Sequence, residues 1–221
     1  MVAAVVCIVA AGCGPRRAAV VAPVADPGAE AEALEASTRL EEPLQVIFEW
    51  RANDRGVRAD GRGVARVEPP DRARLDLFLA NGETVLRAAL VAGEVRMPPG
   101  APDDFLPPPD LMWGALGVVR PGPEARLAGG DRLEGGAVRL RYAYPNGTEL
   151  HYQTRDGVLT RVELLERGRV VEEVALSFSD SGRYPTGATY RHHTDFRELQ
   201  LTRESVEAVE PFPEAIWHPT G

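Results

Sequence analysis

The chain has 221 residues, 44% of them hydrophobic, and a net charge of -8. All 25 basic residues are arginine, and the acidic balance argues against nucleic acid as a partner and against adsorption to anionic lipid. About 200 residues suffice for one domain with its own core.

The chain opens on a short apolar run, Val2–Ala11, that ends in Ala10-Ala11-Gly12-Cys13. The run is too short to span a bilayer, which takes roughly 20 residues, so it reads as a processing segment. Small residues and Gly before a cysteine have the form of a bacterial lipoprotein signal. Cleavage after Gly12 would leave Cys13 as the site of lipid attachment. Residues 1–12 are then signal peptide, 13–28 a flexible tether rich in Ala, Val, Pro and Gly, and 29–221 a single domain. The only other cysteine, Cys7, lies inside the signal, so the domain has neither an internal disulfide nor a cysteine-ligated zinc.

Residues 29–41 suit a short helix with Ala33, Ala36 or Ser37, and Leu40 on one face, stopped by Pro43. From Leu44 the period changes to two. Val46, Phe48 and Trp50 alternate with Ile47, Glu49 and Arg51, and Ala73, Leu75, Leu77 and Leu79 alternate with Arg72, Arg74, Asp76 and Phe78. Later runs, such as Val138-Leu140-Tyr142-Tyr144, behave alike, as strands with one buried and one wet face do. Asn81-Gly82, Asn146-Gly147, Asp156-Gly157 and Arg167-Gly168 supply hairpin turns. The reading is mainly β, with about 11 strands at 44–52, 61–68, 72–80, 83–91, 93–97, 124–133, 136–144, 147–154, 157–166, 168–178 and 186–204, the last open to being two.

Residues 98–123 interrupt the strands. Pro107–Pro109 and Asp110 open a helix over 109–117, and Gly117 and Pro121 close it. Leu111, Met112, Trp113, Ala115, Leu116, Val118 and Val119 make it apolar nearly all round, so it is touched on all sides. It plugs a curved sheet or covers a cavity.

Chemical signatures are sparse. There is no nucleophile elbow, phosphate loop or His-Glu-x-x-His, and the protein is not expected to be an enzyme or to carry a metal or cofactor. His192 and His193 sit in succession on a strand and point to opposite faces, which disfavours a shared metal. Asp103-Asp104 reads as a solvated loop. The aromatic group Tyr142, Tyr144 and Tyr152, with Leu111, Met112, Trp113 and Leu116, supplies the candidates for lining an apolar pocket.

Pro70-Asp71-Arg72-Ala73-Arg74-Leu75-Asp76-Leu77, a tight turn at Asn81-Gly82-Glu83, a strand, a Pro-rich loop and Leu111-Met112-Trp113-Gly114-Ala115-Leu116-Gly117 follow in an order that resembles the LolB-type outer-membrane lipoprotein receptors of the LolA/LolB carrier group. The resemblance implies an incomplete, half-open antiparallel β-barrel with short helices packed in its concave face. It also implies a cavity for the acyl chains of lipoproteins or lipids, to which Leu75 and Leu77 would contribute. A soluble periplasmic carrier would be the partner, and the location the periplasmic side of the outer membrane, through the lipid anchor. The receptors carry a protruding apolar residue between the strands matching 72–80 and 83–91; here the turn is short, and only Leu79 stands where it could serve in transfer to the membrane.

Overall fold

The computed structural model describes residues 18–101, 106–179 and 182–219; Cys13 and Asp103-Asp104 lie outside them. Thirteen strands form one antiparallel sheet: β1 (Val20–Pro23), β2 (Leu44–Asp54), β3 (Val57–Glu68), β4 (Arg72–Leu79), β5 (Thr84–Val91), β6 (Glu94–Arg96), β7 (Arg126–Leu133), β8 (Ala137–Ala143), β9 (Thr148–Arg155), β10 (Val158–Glu166), β11 (Arg169–Ser177), β12 (Gly187–His192) and β13 (Arg197–Ala208). Their order is β1-β7-β8-β9-β10-β11-β12-β13-β2-β3-β4-β5-β6. Among the described residues the sheet does not close, and β1 and β6 are its edges. It curls around helices α1 (Pro27–Thr38) and α2 (Pro109–Ala115). No helix among the described residues is long and apolar enough to cross a membrane.

Turn chemistry sets the meander. Asp156-Gly157 and Arg167-Gly168 have positive φ at both positions, the two-residue form whose twist matches the flanking strands. Arg55-Gly56 and Ala92-Gly93 do the same without an Asn or Asp to mark them, so β2 and β3 run two and four residues further than the alternation suggests. The segment 186–204 divides into β12 and β13 at Phe196, which takes φ 55°.

Two expectations need correction. Residues 20–28 are not tether. β1 pairs with β7, the Val24 amide donates to the Gly130 carbonyl at 2.9 Å, and Asp26 caps α1 by accepting from the Ala29 amide at 3.0 Å. The helix also turns a different face inward. Ala31 and Leu34 are buried whereas Ala33 and Ala36 are exposed, because a helix starting at Pro27 places its one large aliphatic, Leu34, against the sheet.

The concave face is apolar, and the convex face carries ion pairs. Glu173 lies under Arg161 and Arg191, and Asp76 under Arg66 and Arg74 at 2.7 and 2.8 Å. The C-terminal segment wraps the outside of β4. Trp217 is wholly buried there, with the Arg72 guanidinium 5.8 Å from its ring and Arg74 Nη1 donating to the Ile216 carbonyl at 2.6 Å.

Candidate ligand cavity

The inner faces of β2–β5 and β12–β13 form the floor of a cavity of about 110 Å3, and α2 forms its roof. Phe48, Val67, Leu75, Leu90 and Leu201 line the floor, placed there by the two-residue period of their strands. Gly63 makes the floor possible. A Cβ on it would sit 2.4 Å from the Phe48 ring, so the ring lies directly across the β3 backbone.

The roof ends in a way its sequence dictates. The Gly117 amide donates to the Gly114 carbonyl at 2.9 Å and the Val118 amide to the Trp113 carbonyl at 3.0 Å, with Gly117 at φ 79°. This is a Schellman cap, completed by the hydrophobic contact of Val118 with Trp113. On the opposite side α2 is pinned to β10: Gly114 lies so close to Val162 that a Cβ would meet it at 2.8 Å. Leu111 is fully buried, and Met112, Trp113, Ala115 and Leu116 face the cavity. The Arg120 guanidinium stands 5.2 Å from the Trp113 ring.

At the N-terminal end of α2, the Tyr144 hydroxyl donates to Asp110 at 2.6 Å and accepts from the Gly122 amide at 3.1 Å. Burial raises the Asp110 carboxyl above the usual range, against the pull of the Tyr144 hydroxyl and the Gly122 amide. Burial also raises the Tyr144 hydroxyl, helped by Asp110. Thr38 of α1 accepts from the Val119 amide at 3.1 Å, so the two helices are tied where α2 ends.

The residues singled out from sequence divide. Leu75, Met112, Trp113 and Leu116 line the cavity. Leu77 and Leu111 are wholly buried in the core. The tyrosines are not in the cavity. They stand under the helices instead, with Tyr142 and Tyr152 edge to face at 5.7 Å and Tyr142 donating to Glu35 of α1 at 3.3 Å. Leu79 does not protrude; it is half-buried and packs on the core. The most exposed large apolar side chains among the described residues are Phe196 and Val57, 79% and 74% exposed, at hairpin tips and not in the lining of the cavity. His192 faces Glu172 at 4.0 Å and His193 faces Glu173 at 3.5 Å. These are neighbouring carboxylates on opposite faces of β11, so the two imidazoles share no site.

Sequence reasoning did not single out Leu40, Tyr184, Pro185 and Arg203, which also line the cavity. Only Arg203 carried a signal, as the residue after Leu199 and Leu201 in an alternating row. A second cavity, of about 210 Å3, lies beyond Leu40, Leu116 and Tyr184, which line both.

No protein-family model matches the chain, and no curated protein matches it. Solved structures do. A LolA superfamily protein from Nitrosomonas europaea aligns at TM-score 0.57 and 9% identity over 86% of this chain and 97% of that one. A putative outer membrane lipoprotein-sorting protein domain from Vibrio parahaemolyticus aligns at TM-score 0.55 and 8% identity, covering 86% and 94%. A DUF1329 family protein from Desulfovibrio piger aligns at TM-score 0.54 and 12% identity, covering 90% and 98%. At such identities the likeness is one of fold: a half-open antiparallel barrel around short helices, shared with these solved structures.

Proposed function

We propose that the protein binds acyl chains in the cavity beneath α2 and carries or receives lipidated or lipid cargo at the bacterial outer membrane, held there by a lipid on Cys13. The observation that carries the reading is the apolar cavity between α2 and the concave sheet, in a fold shared with a putative lipoprotein-sorting domain. Each methylene moved from water into such a site contributes about 0.8 kcal/mol, so a chain of about 16 carbons has ample gross driving force. Transfer needs only a slightly better next site, such as a soluble periplasmic carrier or the membrane. No reactive group is called for, and the lining of the cavity is mostly apolar.

The size of the cavity adds a mechanical requirement. An engineered cavity of about 150 Å3 holds one benzene, so a space of about 110 Å3 takes only the first carbons of a chain. A longer chain has to displace Met112 and Leu116, or lift α2, and joining the second cavity past Leu116 is the shortest route. The alternative is an envelope lipoprotein whose helix is a permanent plug; the fastening of Gly114 against Val162 favours it.

Two measurements on detergent-free protein decide between them. Mass spectrometry of co-purifying lipid should find stoichiometric acyl chains, and the neutral dye N-phenyl-1-naphthylamine should brighten saturably and be displaced by palmitate. Folded protein that carries no lipid and leaves the dye dark would establish the plug.

A further inference from the structure

We infer that the cavity takes a single-chain anionic amphiphile, its tail along the apolar floor and its carboxylate or phosphate head on Arg203. The inference rests on the acyl-binding reading above and goes on to name the headgroup.

Two arginines line the cavity, and they are not equivalent. Arg74 has its guanidinium on the convex side, where Nε and Nη2 hold Asp76 at 2.9 and 2.8 Å and Nη1 holds the Ile216 carbonyl. Arg203 continues the inward row of Leu199 and Leu201. It is half-buried, and its Nη1 donates to the Tyr184 carbonyl at 2.8 Å. It forms no ion pair among the described residues. Nearby arginines do: Arg62 pairs with Glu204, and Arg191 with Glu198 at 2.7 Å. A guanidinium has five N–H donors, and beyond the Tyr184 carbonyl those of Arg203 meet no protein acceptor among the described residues. A carboxylate or phosphate arriving with an acyl chain satisfies them, bidentately where geometry allows.

The surroundings agree in sign. Tyr184 and Pro185 line the cavity together with Arg203, and the Arg183 guanidinium lies 5.7 Å from the Tyr184 ring. Arg183 also donates to the Arg39 carbonyl at 3.0 Å. Glu41, which faces Arg183 at 3.6 Å, is 75% exposed. In a chain of net charge -8, this end of the cavity is locally basic. A cationic head would be repelled there, and an alcohol would leave the charge of Arg203 unmatched.

The test uses the full chain bearing Cys13→Ser, with soluble 12-carbon probes displacing N-phenyl-1-naphthylamine. Dodecanoate or dodecyl phosphate should displace the dye at about tenfold lower concentration than dodecanol, the factor expected of one charge-assisted contact, and dodecyltrimethylammonium should be weakest. Added salt should weaken the anions and spare the alcohol. Arg203→Met should abolish the preference, read as the ratio of the displacing concentrations of dodecanoate and dodecanol so that any change in dye affinity cancels, and Arg203→Lys should retain part of it. A lower concentration for dodecanoate than for dodecyl phosphate would point to free fatty acid, the reverse to a phospholipid-type head. If dye binds and the anion and alcohol displace it equally, the headgroup inference is wrong while acyl binding stands. If dye fails to bind folded protein, the underlying reading fails first. Should Arg203→Met not fold, the salt dependence of the parent and the Arg203→Lys preference still decide.

Discussion

His151 shows how a single residue on the convex face sets a pH dependence. Its side chain is 6% exposed, Nε2 meets Glu149 at 2.9 Å, and Nδ1 has no hydrogen-bond partner among the described residues. Burial lowers its pKa below 6.5, against the opposing pull of Glu149. A depressed histidine stabilises the fold above its unfolded value of about 6.5, and that contribution is lost as pH falls through the lower folded value. Asp110 and Glu172, both raised by burial, have the opposite sense: their contribution is complete in acid and is lost as pH rises through their folded values. Comparing His151→Gln with the parent isolates the histidine. The melting temperature of the parent should fall between pH 7 and pH 5, and the variant's should fall less. Parallel curves would show that His151 is protonated in the folded protein as readily as in the unfolded chain.

At the scale of elements, α2 has one fastened side and one cavity side, and two leucines separate them. Leu111 is fully buried on the fastened side. Leu111→Glu places a carboxylate in the core and should cost several kcal/mol, seen as a large fall in melting temperature or loss of folded protein. Leu116 is half-buried and lines both cavities. Leu116→Glu should leave most of the stability in place and weaken binding of N-phenyl-1-naphthylamine at least tenfold. Equal destabilisation by both would mean that α2 is a plug on every side. The C-terminal strap serves the opposite face of the same sheet. Trp217 and the Arg74–Asp76 pair let β4 bury its outer side as well as its inner one, so the Arg72–Leu77 run that carries the family resemblance owes its charged positions to this docking.

For the whole molecule, the proposed function joins the apolar cavity beneath α2 to a lipid on Cys13: under that proposal the domain handles acyl chains while its own keep it at the membrane. If Cys13 bears the anchor, Cys13→Ser should release the protein from salt-washed membranes and end its labelling by palmitate analogues. A parent protein that takes up no label, together with a Cys13→Ser protein that stays bound, would remove the anchor from the scheme.

The alternation from Leu44 onward was enough to read an antiparallel sheet, because period-two burial is written locally. The Asn-Gly and Asp-Gly pairs placed the β4–β5, β8–β9 and β9–β10 hairpins for the same reason, and the Pro-Asp start and Gly117 stop of α2 bounded that helix to within two residues. The turn at Phe196 was illegible, since its backbone borrows a conformation that composition assigns to glycine. β1 was hidden in the Ala, Val and Pro of an apparent linker, because an edge strand of four residues is made by its neighbour β7. Periodicity marks a side chain as inward. It does not say whether the inward neighbour is a helix, as for Tyr142 and Tyr144, or open space, as for Leu75 and Met112. That depends on where α1 and α2 cross the sheet, which close contacts such as Gly114 on Val162 decide. Arg203 is the sharpest case: the same alternation that turns Leu199 and Leu201 to the core turns a guanidinium to the cavity, and only the curl of the sheet shows it facing one without a carboxylate.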